Sequence, residues 1–365
     1  MNINGHNPNI DGLRGIAILM VLSYHYFSGF YLFDFGWMGV DLFFVLSGYL
    51  LTGRFYPYVS TKKIILNFYR NRFLRIVPLI TVFLILFYLS FYIFASQDTI
   101  QNLSTYFDNK TAIFLFLTNW VLFFYSTGTA GPLEHLWSLA VEEQFYLMFP
   151  IFVFLFKSRK KLLIAGLGFI LLIFIARIII YSNHPPSADW DKRIYWNTFL
   201  RADSFLCGFV LYMLIENGWL LLIKKYAFKV SLAATLLLVL GCSYYGTAKL
   251  NPFLMRGGLL LVAIVGMCLL LFSITENKGF VKKITGFQKL QHLGKISYGL
   301  YIFHWPIFLF GFSFIQMISK KIGLQLTANM LQFLNIIISC ITTYIISKLS
   351  FMYFESYFLA KKVKI

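Results

Sequence analysis

Gly12–Leu32, GLRGIAILMVLSYHYFSGFYL, is an apolar run broken only by Arg14 and His25, and its reading decides the class of the fold. At about 1.5 Å of rise per residue, about 20 such residues cross the roughly 30 Å hydrocarbon core of a bilayer. No basic stretch precedes the run, so it reads as a first transmembrane helix and not as a cleavable signal peptide. Eight more runs of that length follow: Gly36–Phe55, Ile76–Ala95, Leu162–Tyr181, Trp196–Glu216, Phe228–Gly246, Leu254–Thr275, Ile296–Gln316 and Met330–Phe354. Leu136–Phe156 makes a tenth, whereas Ala112–Tyr125 is too short to cross and reads as re-entrant or interfacial. Composition points the same way: of 365 residues, 59% are hydrophobic and 13% charged, about half the charge of a soluble domain. That argues against soluble enzymes, disordered tails and fibrous repeats. The expected fold class is all-α, a polytopic membrane protein of about ten transmembrane helices forming a single domain over residues 1–365.

The formal net charge of +18 would by itself suggest a nucleic-acid or anionic-surface binder. Its placement gives a different reading. Basic residues gather in Arg54–Arg75 (Arg54, Lys62, Lys63, Arg70, Arg72, Arg75), Lys157–Lys161, Lys224–Lys229, Lys278–Lys295 and Lys361–Lys364, and alternating spans put all five groups on one side. The positive-inside rule makes that side the cytoplasm and places both termini there. Twenty-one basic residues then lie inside, against seven outside (Lys110, Lys192, Arg193, Lys249, Arg256, Lys320, Lys321). Most of the charge becomes orientation and attraction to the anionic inner leaflet, with no nucleic-acid partner. The alternation also requires Ala112–Tyr125 not to cross. Arg14, Arg72, Arg75, Arg177 and Arg201 are not absorbed by topology and are where an anionic ligand would bind. Cys207, Cys242, Cys268 and Cys340 lie singly in apolar runs, without zinc or disulfide spacing, and no metal is expected.

Ionisable groups at membrane depth are costly and default to functional hypotheses. Arg14 and His25, 11 residues apart, face nearly the same side of a helix and are separated by about 16 Å along its axis. His25 falls about 10 Å below the outer surface, Asp41 about 8 Å, and Glu142 or Glu143 about 9–10 Å, so three helices bring a histidine and carboxylates to one level. A histidine beside a carboxylate can take a proton from a hydroxyl, the carboxylate fixing its tautomer. No GxSxG elbow supplies a serine nucleophile, which leaves direct transfer and transfer through another group both open. Blander readings exist for each residue. His25 among Tyr24, Tyr26 and Phe27 also has the form of a packed core histidine, and Asp41 after Gly36 and Gly39 that of a helix cap. Arg72 and Arg75, three apart on a helical turn, suit phosphate or juxtamembrane lipid headgroups.

Five segments, NIDGLRGIAILMVLSYHYF, GVDLFFVLSGYLLTG, RNRFLRIVP, WSLAVEEQFYLMFP and ISYGLYIFHWP, occur in the order that resembles acyltransferase family 3, the integral-membrane O-acyltransferases of O-antigen and peptidoglycan O-acetylase type. The resemblance implies acyl-CoA, most simply acetyl-CoA, as a cytoplasmic donor substrate, with no bound cofactor. The acyl group would pass to a hydroxyl of an extracytoplasmic or lipid-linked glycan, in a bacterial cytoplasmic membrane. It also implies catalytic roles for His25 and Glu142, which Asp41 is expected to join, and donor binding by Arg14, Arg72 and Arg75. Ser47, with Gly48, and Tyr298 and His304, with Tyr301, match further family patterns and are expected to line the substrate path. Many members carry an additional SGNH esterase-like domain, which this chain is expected to lack. The rival classes are an exporter of a polysaccharide or lipid-linked sugar using the buried charges as a proton relay, and a scaffold subunit. Aromatic residues around Pro185, Pro186, Trp190 and Trp196 fit an interfacial belt, and also a sugar site.

Overall fold

The first helix begins where its sequence provides a start signal. Asn7 accepts the Asn9 N–H with its side chain and Pro8 takes the first helical position, where a missing N–H costs nothing, opening α1 (Pro8–Tyr26). In the computed structural model, the structure describes residues 7–27, 29–56, 62–94, 110–124, 132–156, 158–184, 188–246, 251–276 and 279–363. α1 stops at Tyr26, and Gly29 just beyond it has φ +96°, a left-handed backbone that a side chain would resist. His25 therefore occupies the last helical turn. The sequence had carried the helix to Leu32, but a 3₁₀ segment, Tyr31–Trp37, folds back on α1 instead.

The remaining helices are α2 (Met38–Phe55), α3 (Lys62–Phe94), α4 (Lys110–Phe114), α5 (Thr118–Phe124), α6 (Trp137–Leu155), α7 (Arg159–Asn183), α8 (Ala188–Trp196) and α9 (Thr198–Glu216). They continue with α10 (Leu220–Tyr245), α11 (Leu259–Thr275), α12 (Phe280–Thr285), α13 (Gln288–Lys295), α14 (Ser297–Lys321), α15 (Ala328–Leu349) and α16 (Ser356–Ala360). There are no strands among the described residues, and nine helical segments there are long and apolar enough to cross a membrane. α1, a 19-residue helix carrying Asp11, Arg14 and His25, is not among these nine. Leu, Ile and Phe faces on α7, α10 and α15 point outward, as lipid requires. The chain is a multi-pass membrane protein.

Two boundaries differ from the sequence reading in ways that bear on the site. α3 begins at Lys62, well before Ile76, so Arg72 and Arg75 ride on the same continuous helix that enters the membrane. The short run Ala112–Tyr125 forms α4 and α5, broken at Phe116, whose φ is 56°. Neither piece can cross. Gln144 of α6 anchors them: its Nε2 donates to the Phe116 carbonyl (2.8 Å) and to Asn119 Oδ1 (2.9 Å), and its Oε1 accepts from Trp120 Nε1 (3.0 Å).

Close approach of helices is achieved with glycine. A Cβ placed on Gly48 of α2 would run into the Phe205 carbonyl of α9, and one on Gly208 of α9 into the Val45 carbonyl of α2. In lipid, where apolar association is not driven by water, such backbone contact is a principal source of helix pairing. Gly48→Val is therefore expected to exceed the roughly 1–3 kcal/mol of ordinary overpacking, because the obstructing atoms are backbone. The measurement is thermal unfolding in detergent, with Gly168→Ala, where nothing lies within 4 Å, as the silent control.

Candidate active site

α1, α2, α3, α6 and α14 line an open cavity. Arg14 of α1, Arg54 of α2, and Arg72 and Arg75 of α3 line one end. Ser47, Glu142, Tyr146 and Tyr298 line the middle, and Ser138 and Tyr301 also contribute. Glu142 Oε1 accepts from both Ser47 Oγ and Tyr146 Oη, whose oxygens lie 3.1 Å apart. The Arg72 guanidinium lies 4.3 Å from the centre of the Tyr146 ring. Tyr298 donates to the Ile76 carbonyl at 2.6 Å, tying α14 to α3 across the cavity. Four guanidiniums converging on an apolar-walled cleft make a site for a polyanion.

Outside the cavity lining, against Tyr301, stands a group of histidines. His304 Nδ1 is 2.7 Å from the Tyr301 carbonyl, which can only accept, so Nδ1 carries the proton. In the neutral ring His304 Nε2 is then a lone pair, and His25 Nδ1, 2.8 Å away, must donate to it. The consequence is that Nε2 of a neutral His25 is unprotonated, the form a general base needs. His25 also packs on Trp305 with ring centres 4.7 Å apart. Tyr26 Oη donates to the His304 carbonyl (3.3 Å). His135 completes the group: its Nε2 donates to the Ile302 carbonyl (3.1 Å), and its ring lies 5.2 Å from that of His304. Tyr301 links the cavity to the histidine group, lining the former while bonding Ser138 Oγ (2.5 Å) and the His135 carbonyl.

The structure separates residues that the depth argument had grouped. Asp41 is fully buried, and its Oδ1 accepts from Arg201 Nη2 (2.7 Å) and Ser204 Oγ (2.9 Å). Arg177 pairs with Asp203 in the same interior, both fully buried. Arg177 and Arg201, two of the candidates for an anionic ligand, are thus matched by internal aspartates and do not line the arginine cavity. The physical reason is that a charge in lipid is stabilised most by a neighbouring opposite charge, and α9 carries Arg201 and Asp203 into contact with both α2 and α7. Arg14, Arg72, Arg75, Ser47, Glu142 and Tyr298 do share one cavity. His25 and His304 share a hydrogen bond beyond it. Glu143, the neighbour that could have exchanged roles with Glu142, is not among the lining residues.

Sequence reasoning missed Arg54, Tyr146 and His135. Arg54 was counted only as orientation charge. Tyr146 was findable, because it lies four residues after Glu142 and so one turn along the same helix face. His135 directly precedes the apolar run that begins at Leu136 and carried no signal of its own.

A family described as an acyltransferase domain matches residues 7–349. The chain belongs to this acyltransferase family. Among its relatives, the peptidoglycan O-acetyltransferase OatA of Listeria monocytogenes is 32% identical over 96% of the chain and 55% of the relative. The putative peptidoglycan O-acetyltransferase YrhL of Bacillus subtilis is 29% identical over 95% of the chain and 54% of the relative. The O-acetyltransferase OatA of Staphylococcus aureus is 29% identical over 83% and 51%. The chain thus spans about half the length of these relatives. No solved structure matches it.

Proposed function

We propose that the chain transfers an acyl group, in the simplest case acetyl, from cytoplasmic acyl-CoA to a hydroxyl of a cell-envelope glycan, within the cytoplasmic membrane of a bacterium. The observation that carries this reading is the cavity whose lining runs from four arginines to Tyr301, against which the His25–His304 pair is set. Peptidoglycan is the favoured acceptor because two relatives are named for it. The phosphates of the donor bind Arg14, Arg54, Arg72 and Arg75. Its pantetheine arm extends along the cavity and covers most of the about 16 Å between Arg14 and His25.

His25 Nε2 takes the proton of the acceptor hydroxyl as the oxygen bonds to the thioester carbonyl carbon. The carbon–sulfur bond then breaks, and the imidazolium returns the proton to the departing thiolate. His304, fixed by the Tyr301 carbonyl, holds His25 in the tautomer this step requires. Asp41 acts at a distance by neutralising Arg201, and Glu142 orders Ser47 and Tyr146 along the path of the arm.

The deciding experiment supplies purified protein in detergent with acetyl-CoA and a soluble glycan fragment, following thiol release and the mass of the fragment. A thiol yield matched by acetylated glycan is expected. Intact acetyl-CoA would instead favour an exporter or scaffold. In the same assay Arg72→Ala/Arg75→Ala is expected to raise the donor KM about 100-fold or more, since each charge-assisted contact is worth about 1.5–3 kcal/mol.

A further inference from the structure

The segment that follows α16 is pinned in place. Asn71 of α3 donates from Nδ2 to the Val363 carbonyl (2.7 Å) and accepts the Val363 N–H at Oδ1 (2.9 Å), a two-point clamp resembling one rung of a β-ladder. Lys361 is occupied locally, its Nζ donating to Tyr357 Oη (2.7 Å) and lying 3.9 Å from the centre of that ring. Lys362, between the two, is half-buried; it is not among the residues lining the cavity, but the clamp on Asn71 sets it next to Arg72 in the chain fold and within electrostatic reach of Arg75, Arg72, Arg54 and Arg14. The carboxyl groups of Asp11, Glu142, Glu143 and Glu355 offset part of this charge: Asp11, Glu142 and Glu355 act on Arg14, Glu143 on Arg72 and Arg75, and Glu355 also on Arg75. A fifth cation held beside four arginines is repulsive unless an anion is shared among them.

We propose that Lys362 is a donor-binding residue, held by the Asn71–Val363 clamp to contact a phosphate of acyl-CoA together with the four arginines. The inference rests on the donor reading above. Of the five cations, Lys362 is the one whose charge can adapt. Burial, followed by the repulsion of Arg75, Arg72, Arg54 and Arg14, lowers its pKa to about 7, whereas a guanidinium stays charged. With the site empty, Lys362 is protonated below about pH 7 and neutral above it. A phosphate arriving beside it favours the ammonium, so donor binding above neutrality must take up a proton. Affinity is strongest on the acid side and weakens as pH rises.

The test measures binding of coenzyme A to the full chain in uncharged detergent, and the KM for acetyl-CoA, from about pH 6 to about pH 8.5. At the acid end Lys362→Met is expected to weaken both about tenfold, with a smaller effect on kcat, and to remove the lysine's contribution to the pH dependence. Lys362→Arg should keep the acid-side affinity and hold it across the range. Asn71→Ala, which releases the clamp, should behave as Lys362→Met does. Wild-type binding by Lys362→Met throughout the range overturns the proposal. So does a defect seen only with phosphatidylglycerol vesicles, since Lys362 would then serve a lipid headgroup. Failure of the wild-type chain to bind coenzyme A removes the donor reading itself, a result distinguishable from either.

Discussion

His25→Ala is expected to lower kcat for acyl transfer by about 10²–10⁴-fold, the range for loss of a positioned general base, with little change in the donor KM. The separation follows from the helix: Arg14, one of the arginines that bind the donor, lies about 16 Å along α1 from His25. His304 supplies a sharper version of the same test. Its Nε2 accepts the His25 Nδ1 proton only because its own Nδ1 is committed to the Tyr301 carbonyl. His304→Ala removes the acceptor and frees the His25 ring to adopt the other tautomer, with an expected loss of about 10²-fold. His304→Gln can still present an oxygen to His25 Nδ1 and should recover part of that loss, which a purely packing role would not predict. Full acetylation by His25→Ala at wild-type expression would remove the assignment of the base.

What the sequence could reveal of this site depended on whether a signal was local. Arg14 and His25 lie on one helix, so their shared face and spacing follow from the rise and pitch alone. Arg72 with Arg75, and Glu142 with Tyr146, obey the same rule. The reach of α3 back to Lys62 was hidden because hydropathy marks where a helix enters lipid and not where it starts. Partnership across helices was the least legible. Counting depth set His25 beside Asp41 and Glu142, but two side chains at one level can point to different neighbours. α2 turns Asp41 toward α9, and α14 delivers His304 to His25 from far along the chain. Gly48 and Gly208 decide that rotation, since they allow α2 and α9 to meet at the backbone and so bring Asp41 to Arg201. The resemblance of five segments to a family carried the donor and acceptor classes, which no spacing rule supplies.

Asp41→Ala is expected to abolish the folded protein, and it distinguishes an ion-pair role for Asp41 from a catalytic one. The carboxylate and the Arg201 guanidinium are fully buried, and removing one partner of a buried pair costs about 3–5 kcal/mol because the other charge is left uncompensated. Arg201 is otherwise surrounded by rings, 4.8 Å from the centre of Tyr195, 5.8 Å from Phe44 and 5.9 Å from Trp137. Those rings attract a cation but cannot replace its counter-ion. Loss of activity in Asp41→Ala alone would therefore say nothing about chemistry. The informative variant is Asp41→Leu/Arg201→Met, which removes both charges and keeps most of the volume, a change that is often neutral or stabilising for a buried pair. Folded yield and thermal midpoint in detergent should return toward wild type. If Asp41 serves only to neutralise Arg201, acetyl transfer returns with them, within about tenfold given the repacking. If the double variant folds but transfers nothing while coenzyme A still binds, Asp41 or Arg201 takes part in the reaction, and the separation of the ion pair from the histidine group is wrong.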